Sequence, residues 1–475
     1  MNLVVFTTVV VLVLVANIAV GMVRRRTTIT FSVYQADPDK HRWHVLAMTL
    51  TGTIVGGGMF LGVGQIGYEA GVTGYFLGVI YLVGLLMVAA LAKRARAMLD
   101  QGNHKSIIDL LDANYSGDVV LQFCLVSLIM YLFLLAGQFV ALIQFARFVT
   151  AKSTHTFLPW ALVMFAGLSL FFYPIIGGLR KDIQTDIFQV LIILLASFVV
   201  LVRLFRTGIR DAVFENLTPD HLTGTAYGVV FILGAILFLT PSFFVRMDIW
   251  QRIRTARTTS HATWGFIIAA IASCFFYFFF TTIGMWAFSS GVPGGIYASL
   301  ELIYTQFSNP LALGLIIGAF FAAVLSSADT FINNTSIFAA RLFLKDAWKN
   351  SRDQAGETRL LLWSRLFAII LTLVSIILAL LSPNLVDLLV GAFSILLLFL
   401  PTVCGLFVAG WRHSTAALWS TRVGLVIFGI LFFVWNPKLA FAPAVLAAGI
   451  SYAIIRALVH QQQQARQVED TRGVT

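Results

Sequence analysis

Apolar runs of roughly 20 residues, separated by short polar stretches, fill this chain almost from end to end. A bilayer core about 30 Å thick requires a helix of this length. Reading each run as one helix predicts about thirteen spans. Their cores fall at 3–22, 45–66, 73–92, 121–146, 157–173, 185–204, 223–243, 264–288, 311–338, 363–381, 384–408, 418–434 and 439–458. The polar stretches alternate in charge. Arg24, Arg25 and Arg26 follow the first span, Lys93, Arg94 and Arg96 the third, and Arg180 with Lys181 the fifth. Arg246, Arg252, Arg254 and Arg257 follow the seventh, and 341–359 is rich in bases, whereas 67–72 and 289–310 hold no Lys or Arg. Basic residues hold loops in the cytoplasm, so the alternation predicts an outside N-terminus and a cytoplasmic C-terminus. One loop breaks the pattern: Arg203, Arg206 and Arg210 fall on the predicted outside.

Composition narrows the class. Of 475 residues, 59% are hydrophobic and only 11% charged, with 42 Phe, too few polar residues to cover a soluble domain. The net charge of +11 sits in short clusters between apolar runs, which fits loop topology and excludes nucleic acid as the partner. The lipid bilayer is the surrounding medium. The run from Leu3 to Met22 lacks a preceding basic residue and a small-residue cleavage site, so it is expected to stay as an anchor. Cys124, Cys274 and Cys404 lie within apolar runs without metal-ligand spacing, which argues for packing rather than a disulfide framework. The end of the chain from His460, with its Gln461–Gln464 run, reads as a disordered polar tail.

Span 45–66 is unusual for its glycines. Gly52, Gly56, Gly57, Gly58, Gly62 and Gly64 occupy its middle and outer half, and each costs about 0.5–1 kcal/mol in a helix relative to Ala. One explanation is close helix packing through small residues such as Gly52 and Gly56. The other is a broken helix whose freed carbonyls face a cavity and bind a cation. Span 223–243 favours the second, because Gly234 and Pro241 interrupt it as well. The two spans lie five helices apart and run in opposite directions, the plan of an inverted repeat.

Span 311–338 contributes the second half of a candidate site. Ala323, Ser326 and Ser327 share one helix face. Two hydroxyls and a carbonyl supply hard oxygens without net charge, which suit a small alkali cation that must also leave. Such serines also serve as plain interhelical glue.

Four segments now resemble the sodium:solute symporter family. They are Gly58-Met-Phe-Leu-Gly, Tyr173-Pro-Ile-Ile-Gly-Gly-Leu-Arg-Lys-Asp-Ile-Gln-Thr-Asp-Ile-Phe-Gln189, Trp250-Gln-Arg252 and Ala323-Val-Leu-Ser-Ser-Ala-Asp329. The resemblance covers residues about 45 to 345 in the family's order. It implies an all-α polytopic fold with a five-plus-five inverted-repeat core of LeuT type at 45–408. One extra helix and a cytoplasmic loop (1–44) would precede it, and two helices (409–459) and the tail (460–475) would follow. It further implies sodium as coupling ion, with no cofactor, bound by the carbonyls of Gly52, Val55 and Ala323 and the hydroxyls of Ser326 and Ser327. Asp186 matches the family aspartate of a second cation site or release path. The simpler reading is that Asp182 and Asp186 complement the start of their helix. Asp329 reads as a solvated or paired charge at the cytoplasmic end.

Departures from the family bear on the solute. Sugar-transporting members carry polar residues where Met59 and Gly78 stand here, so an amino acid, carboxylate or amide is expected over a sugar. Lys181 opens a proton-coupled alternative, since a lysine in this helix replaces sodium in some relatives of the fold. Thr53, Met59, Gln65, Gln138, Tyr227 and Phe238 are the candidate solute contacts, although Met, Tyr and Phe are more often packing. The rival class is a membrane sensor that kept the transporter body and signals through a separate partner. No His-Glu-x-x-His or Gly-x-Ser-x-Gly motif supports an enzyme. The expected setting is the bacterial inner membrane.

Overall fold

The computed structural model describes residues 3–22, 29–152, 157–171, 175, 177–208, 213–214, 216–349, 353–381, 385–435 and 439–472. Within them the secondary structure is helical, with one isolated bridge between His41 and Ala256. Nine described helices are long and apolar enough to cross a membrane, and two bent pairs bring the number to eleven. Among the described residues the expected count of about thirteen spans is thus not reached. The run at 157–173 yields only the 13-residue helix Phe157–Ser169. The run at 223–243 starts late, because Gly224 (φ 70) and Gly228 (φ 83) hold positive-φ backbone that breaks the helix. It then passes through Val229–Gly234, a π turn at Ala235–Leu239 and a 3-10 turn at Thr240–Val245 containing Pro241. The run at 384–408 bends by 46° between Gly391–Leu397 and Leu400–Ala409. The tail is corrected too: the backbone of the last helix runs from Phe441 to Arg472, through the glutamines. A span already formed supplies the helix nucleus, so adding polar residues to its end is cheap.

Pro310–Phe343 is the central helix. Of its apolar window 83% is buried, against 28% for the peripheral helices Gln354–Leu381 and Ser414–Val434. The first helix, Leu3–Met22, packs against it where Gly314 and Gly318 leave room for Val9 and Val13. The helix Leu179–Thr207 packs on its inner half. That helix begins at Gly178, whose φ of 57 suits glycine, and the space a β-carbon would fill is taken by the Tyr34 carbonyl at 2.5 Å. The Gly-Gly-Leu motif thus serves a backbone-to-backbone contact with the short helix Phe31–Gln35.

The glycine-rich span is both broken and closely packed. Trp43–Ile54 ends at Val55, and the chain resumes as a π turn at Gly58–Val63 followed by Gly64–Ala70, bent by 62°. Beyond the bend, Gly67 lies against the Thr281 backbone of the helix Thr259–Ser289, where a β-carbon would meet its carbonyl oxygen at 2.2 Å. The first glycines unwind the helix, and the later ones let it pack closely.

Candidate cation and solute site

Glycine makes the two halves of the cage fit. A β-carbon on Gly52 would sit 2.5 Å from Ser326 Oγ, and one on Gly56 would sit 2.3 Å from Ser327 Oγ. Only hydrogen at both positions lets the hydroxyls rest on the unwinding backbone. Ser327 Oγ donates to the Thr53 carbonyl at 2.9 Å. Val55, whose N–H still bonds to the Thr51 carbonyl, closes the helix there. Ala323 lies one turn before Ser327, buried on the same helix. The break is capped from a third helix, Gly117–Lys152: the Gly57 N–H donates to Gln138 Oε1 at 2.9 Å. Gln138 thus supplies one of the acceptors that a broken helix inside a membrane needs.

The uncharged oxygens expected to form the cage have a carboxylate beside them. Ser326 Oγ donates to the Asp186 carboxylate, and so does Thr49 Oγ1. Asp186 and Asp182 are both fully buried, so neither merely decorates a helix end. Arg252 lies between them, also fully buried, with Nη2 2.8 Å from Asp182 and 3.7 Å from Asp186. Thr49 and Thr53 at 3.2 Å and Thr330 at 3.1 Å lie within hydrogen-bond reach of the same nitrogen, sharing its two protons with Asp182. A guanidinium without counter-charge at this depth would cost several kcal/mol, which accounts for the two carboxylates around it. Nothing local to Trp250-Gln-Arg252 announces this role, because Asp182 is 70 residues away. Lys181 is only half-buried and donates to Gln184 at 3.3 Å. Asp329 is buried rather than solvated.

A cavity of about 400 Å³ opens beside the cage. Of the candidate solute contacts, Thr53, Met59, Gln138 and Tyr227 line it, and so does Ser327. Gln65 does not line it; the residue points away and donates to Glu69 at 2.7 Å. The side chain of Phe238 lies outside the described residues. The remaining wall is largely apolar, aliphatic side chains alternating with rings that include Tyr81, Tyr277, Phe331 and Phe393. Gly78 has no room for a side chain, since a β-carbon there would meet Tyr277 Cβ at 2.9 Å. Two groups went unanticipated. Arg246 lines the cavity, and Asp248 holds it through Nε (3.1 Å) and Nη2 (2.7 Å), while the Tyr131 hydroxyl donates to Asp248.

Comparison with known proteins agrees with this geometry. The sequence profile of the sodium:solute symporter family matches residues 40–424. The sodium/pantothenate symporter of Escherichia coli (strain K12) is 26% identical over 457 residues, 91% of either chain. Sodium/myo-inositol cotransporter 2 of Mus musculus is 24% identical over 70% of this chain, which spans 55% of that relative's length. Among solved structures, a Na+-coupled sialic acid symporter in a substrate-bound outward-open state superposes with a TM-score of 0.73 at 17% identity. That match covers 95% of this chain and 98% of the other. MhsT in complex with L-phenylalanine gives a TM-score of 0.53 at 16% identity, covering 88% and 99%. The fold is therefore of LeuT type, and the chain belongs to the sodium:solute symporter family as an integral-membrane, sodium-coupled solute transporter.

Proposed function

We propose that this symporter couples sodium entry to uptake of a small organic solute, a carboxylate, zwitterion or amide, through the site at the broken helix. Sodium is held by the carbonyls of Gly52, Val55 and Ala323 and the hydroxyls of Ser326 and Ser327. Asp186, on the far side of Ser326, serves a second cation position or the release path. The observation that supports this most is the seating of Ser327 on the Thr53 carbonyl, because Thr53 and Ser327 also face the cavity. A cation held by the five ligands bridges the helix of Ala323, Ser326 and Ser327 to the unwinding helix of Gly52 and Val55 and draws the two together. That closure shapes the cavity wall and couples ion to solute. One monovalent charge crossing 100 mV supplies about 2.3 kcal/mol, roughly fifty-fold in solute ratio.

The solute class is argued from the wall. Met59 and the sterically filled position at Gly78 leave few polar groups for a ring of sugar hydroxyls. The relative named for pantothenate, alignable over 91% of the chain, is consistent with a carboxylate or amide. The alternation of basic loops supports an outside N-terminus and a cytoplasmic C-terminus. The test is uptake of a panel of small carboxylates, amino acids, amides and sugars into proteoliposomes, with and without an inward sodium gradient. Sodium stimulation is expected for the wild type and lost in Ser326→Ala/Ser327→Ala protein that retains its thermal melt. Equal sodium dependence in that double variant would refute the assignment.

A further inference from the structure

Arg246 is the unexplained group in the cavity wall. Among the described lining residues it alone carries a charge. Its side chain is only 4% exposed and lies against the rings of Phe243 and Phe393, 5.6 and 5.9 Å from their centroids. Asp248 takes Nε and Nη2, and Tyr131 donates to one oxygen of that carboxylate. Asp248 thereby holds the guanidinium plane still, and Tyr131 draws off part of its charge. No hydrogen bond occupies Nη1 among the described residues, so this edge is left for the cavity. A second donor lies in the same wall. Gln138 commits Oε1 to the Gly57 N–H, which leaves its Nε2 protons free to face the cavity that Gln138 lines. Two fixed donors, one of them cationic, stand among largely apolar walls. A planar arginine edge matches a carboxylate in geometry and charge.

We propose that Arg246 is the anchor for the solute, and that the solute is a carboxylate with an apolar or weakly polar body. The carboxylate accepts from Arg246 Nη1, with Gln138 Nε2 as second donor, and the body lies against Tyr81, Tyr277, Phe331 and Phe393. An ammonium at the same place meets Arg246 and the nearby sodium, so cationic solutes are rejected. This assignment rests on the proposed solute cavity and narrows its solute to one class.

Matched pairs in which a neutral primary amide replaces the carboxylate test it: hexanoate and hexanamide, 4-phenylbutyrate and 4-phenylbutanamide, N-acetyl-leucine and N-acetyl-leucinamide. Purified full-length protein in detergent is melted with each compound in sodium chloride and in choline chloride. At least one carboxylate is expected to bind about tenfold or more tighter than its amide, in sodium. Arg246→Gln/Asp248→Asn removes both charges but keeps polar groups in the pair, so no lone buried carboxylate remains; it is expected to bring the ratio below about twofold. Should that variant fail to fold, Arg246→Lys, a point charge without the second edge, is expected to lower the ratio several-fold. Absence of a carboxylate preference throughout the panel, or an unchanged ratio in a folded Arg246 variant, overturns the proposal. Sodium's own stabilisation, measured without organic solute, reports the cage. Its loss from the wild type would count against the function proposed above, and its presence without carboxylate preference against Arg246 alone.

Discussion

Adding one methyl group at Gly56 probes the proposed sodium site without removing any proposed ligand. The β-carbon of Gly56→Ala would lie 2.3 Å from Ser327 Oγ, 2.9 Å from Ser327 Cβ and 3.0 Å from Gln138 Oε1. Rotating the serine moves its oxygen, but Cβ is fixed to the backbone of the central helix. The helices must therefore part by roughly 0.5–1 Å to reach ordinary contact. Overpacking of this kind costs about 1–3 kcal/mol. Without sodium the gap can open and relieve it, whereas the sodium-bound state needs both helices close. The strain then falls on binding and weakens the sodium half-saturation by about 5- to 150-fold. The assay is solute uptake into proteoliposomes as a function of sodium, together with sodium-induced stabilisation in detergent. Gly429→Ala in the helix Ser414–Val434 is the control, because nothing lies within 4 Å of its added carbon. It is expected to leave sodium dependence alone and to stabilise by about 0.5–1 kcal/mol. A Gly56→Ala protein whose sodium half-saturation stays within twofold of the wild type would refute the reasoning.

Two more outcomes come from the buried network. Arg252→Met leaves Asp182 and Asp186 without their counter-charge and should cost about 3–5 kcal/mol of stability; thermal melts would show it, and an unchanged midpoint would contradict the ion-pair reading. Gln138→Leu deprives the Gly57 N–H of its acceptor, at about 1–3 kcal/mol, while Gln138→Glu keeps an acceptor there and should melt closer to the wild type.

Local features were legible in the sequence. Apolar runs report spans because every residue facing lipid must be apolar. The glycines at 56–58 and the serines at 326 and 327 stood out because unwinding and helical phase depend on neighbours in the chain. The same logic failed at Gln65, named only as a residue of the weakened span. The π turn at Gly58–Val63, which nothing in the letters marks, inserts an extra residue and rotates the next turns of helix by about 100°. It also failed for the tail, where polar composition was read without the helix that precedes it.

The rest lay in pairs far apart in the chain. Ser326 meets Asp186 across 140 residues, Gln138 meets Gly57 across 81, and Arg252 meets Asp182 across 70. No pattern within one span encodes such a pair, because each partner looks alone like a stray polar residue in an apolar helix. Residue order by itself determined a helical membrane transporter with a weakened helix and a hydroxyl pair. Only the packing of those helices decided that the cage borders a carboxylate and that an arginine faces the cavity, since burial is what forces each polar group to find its partner.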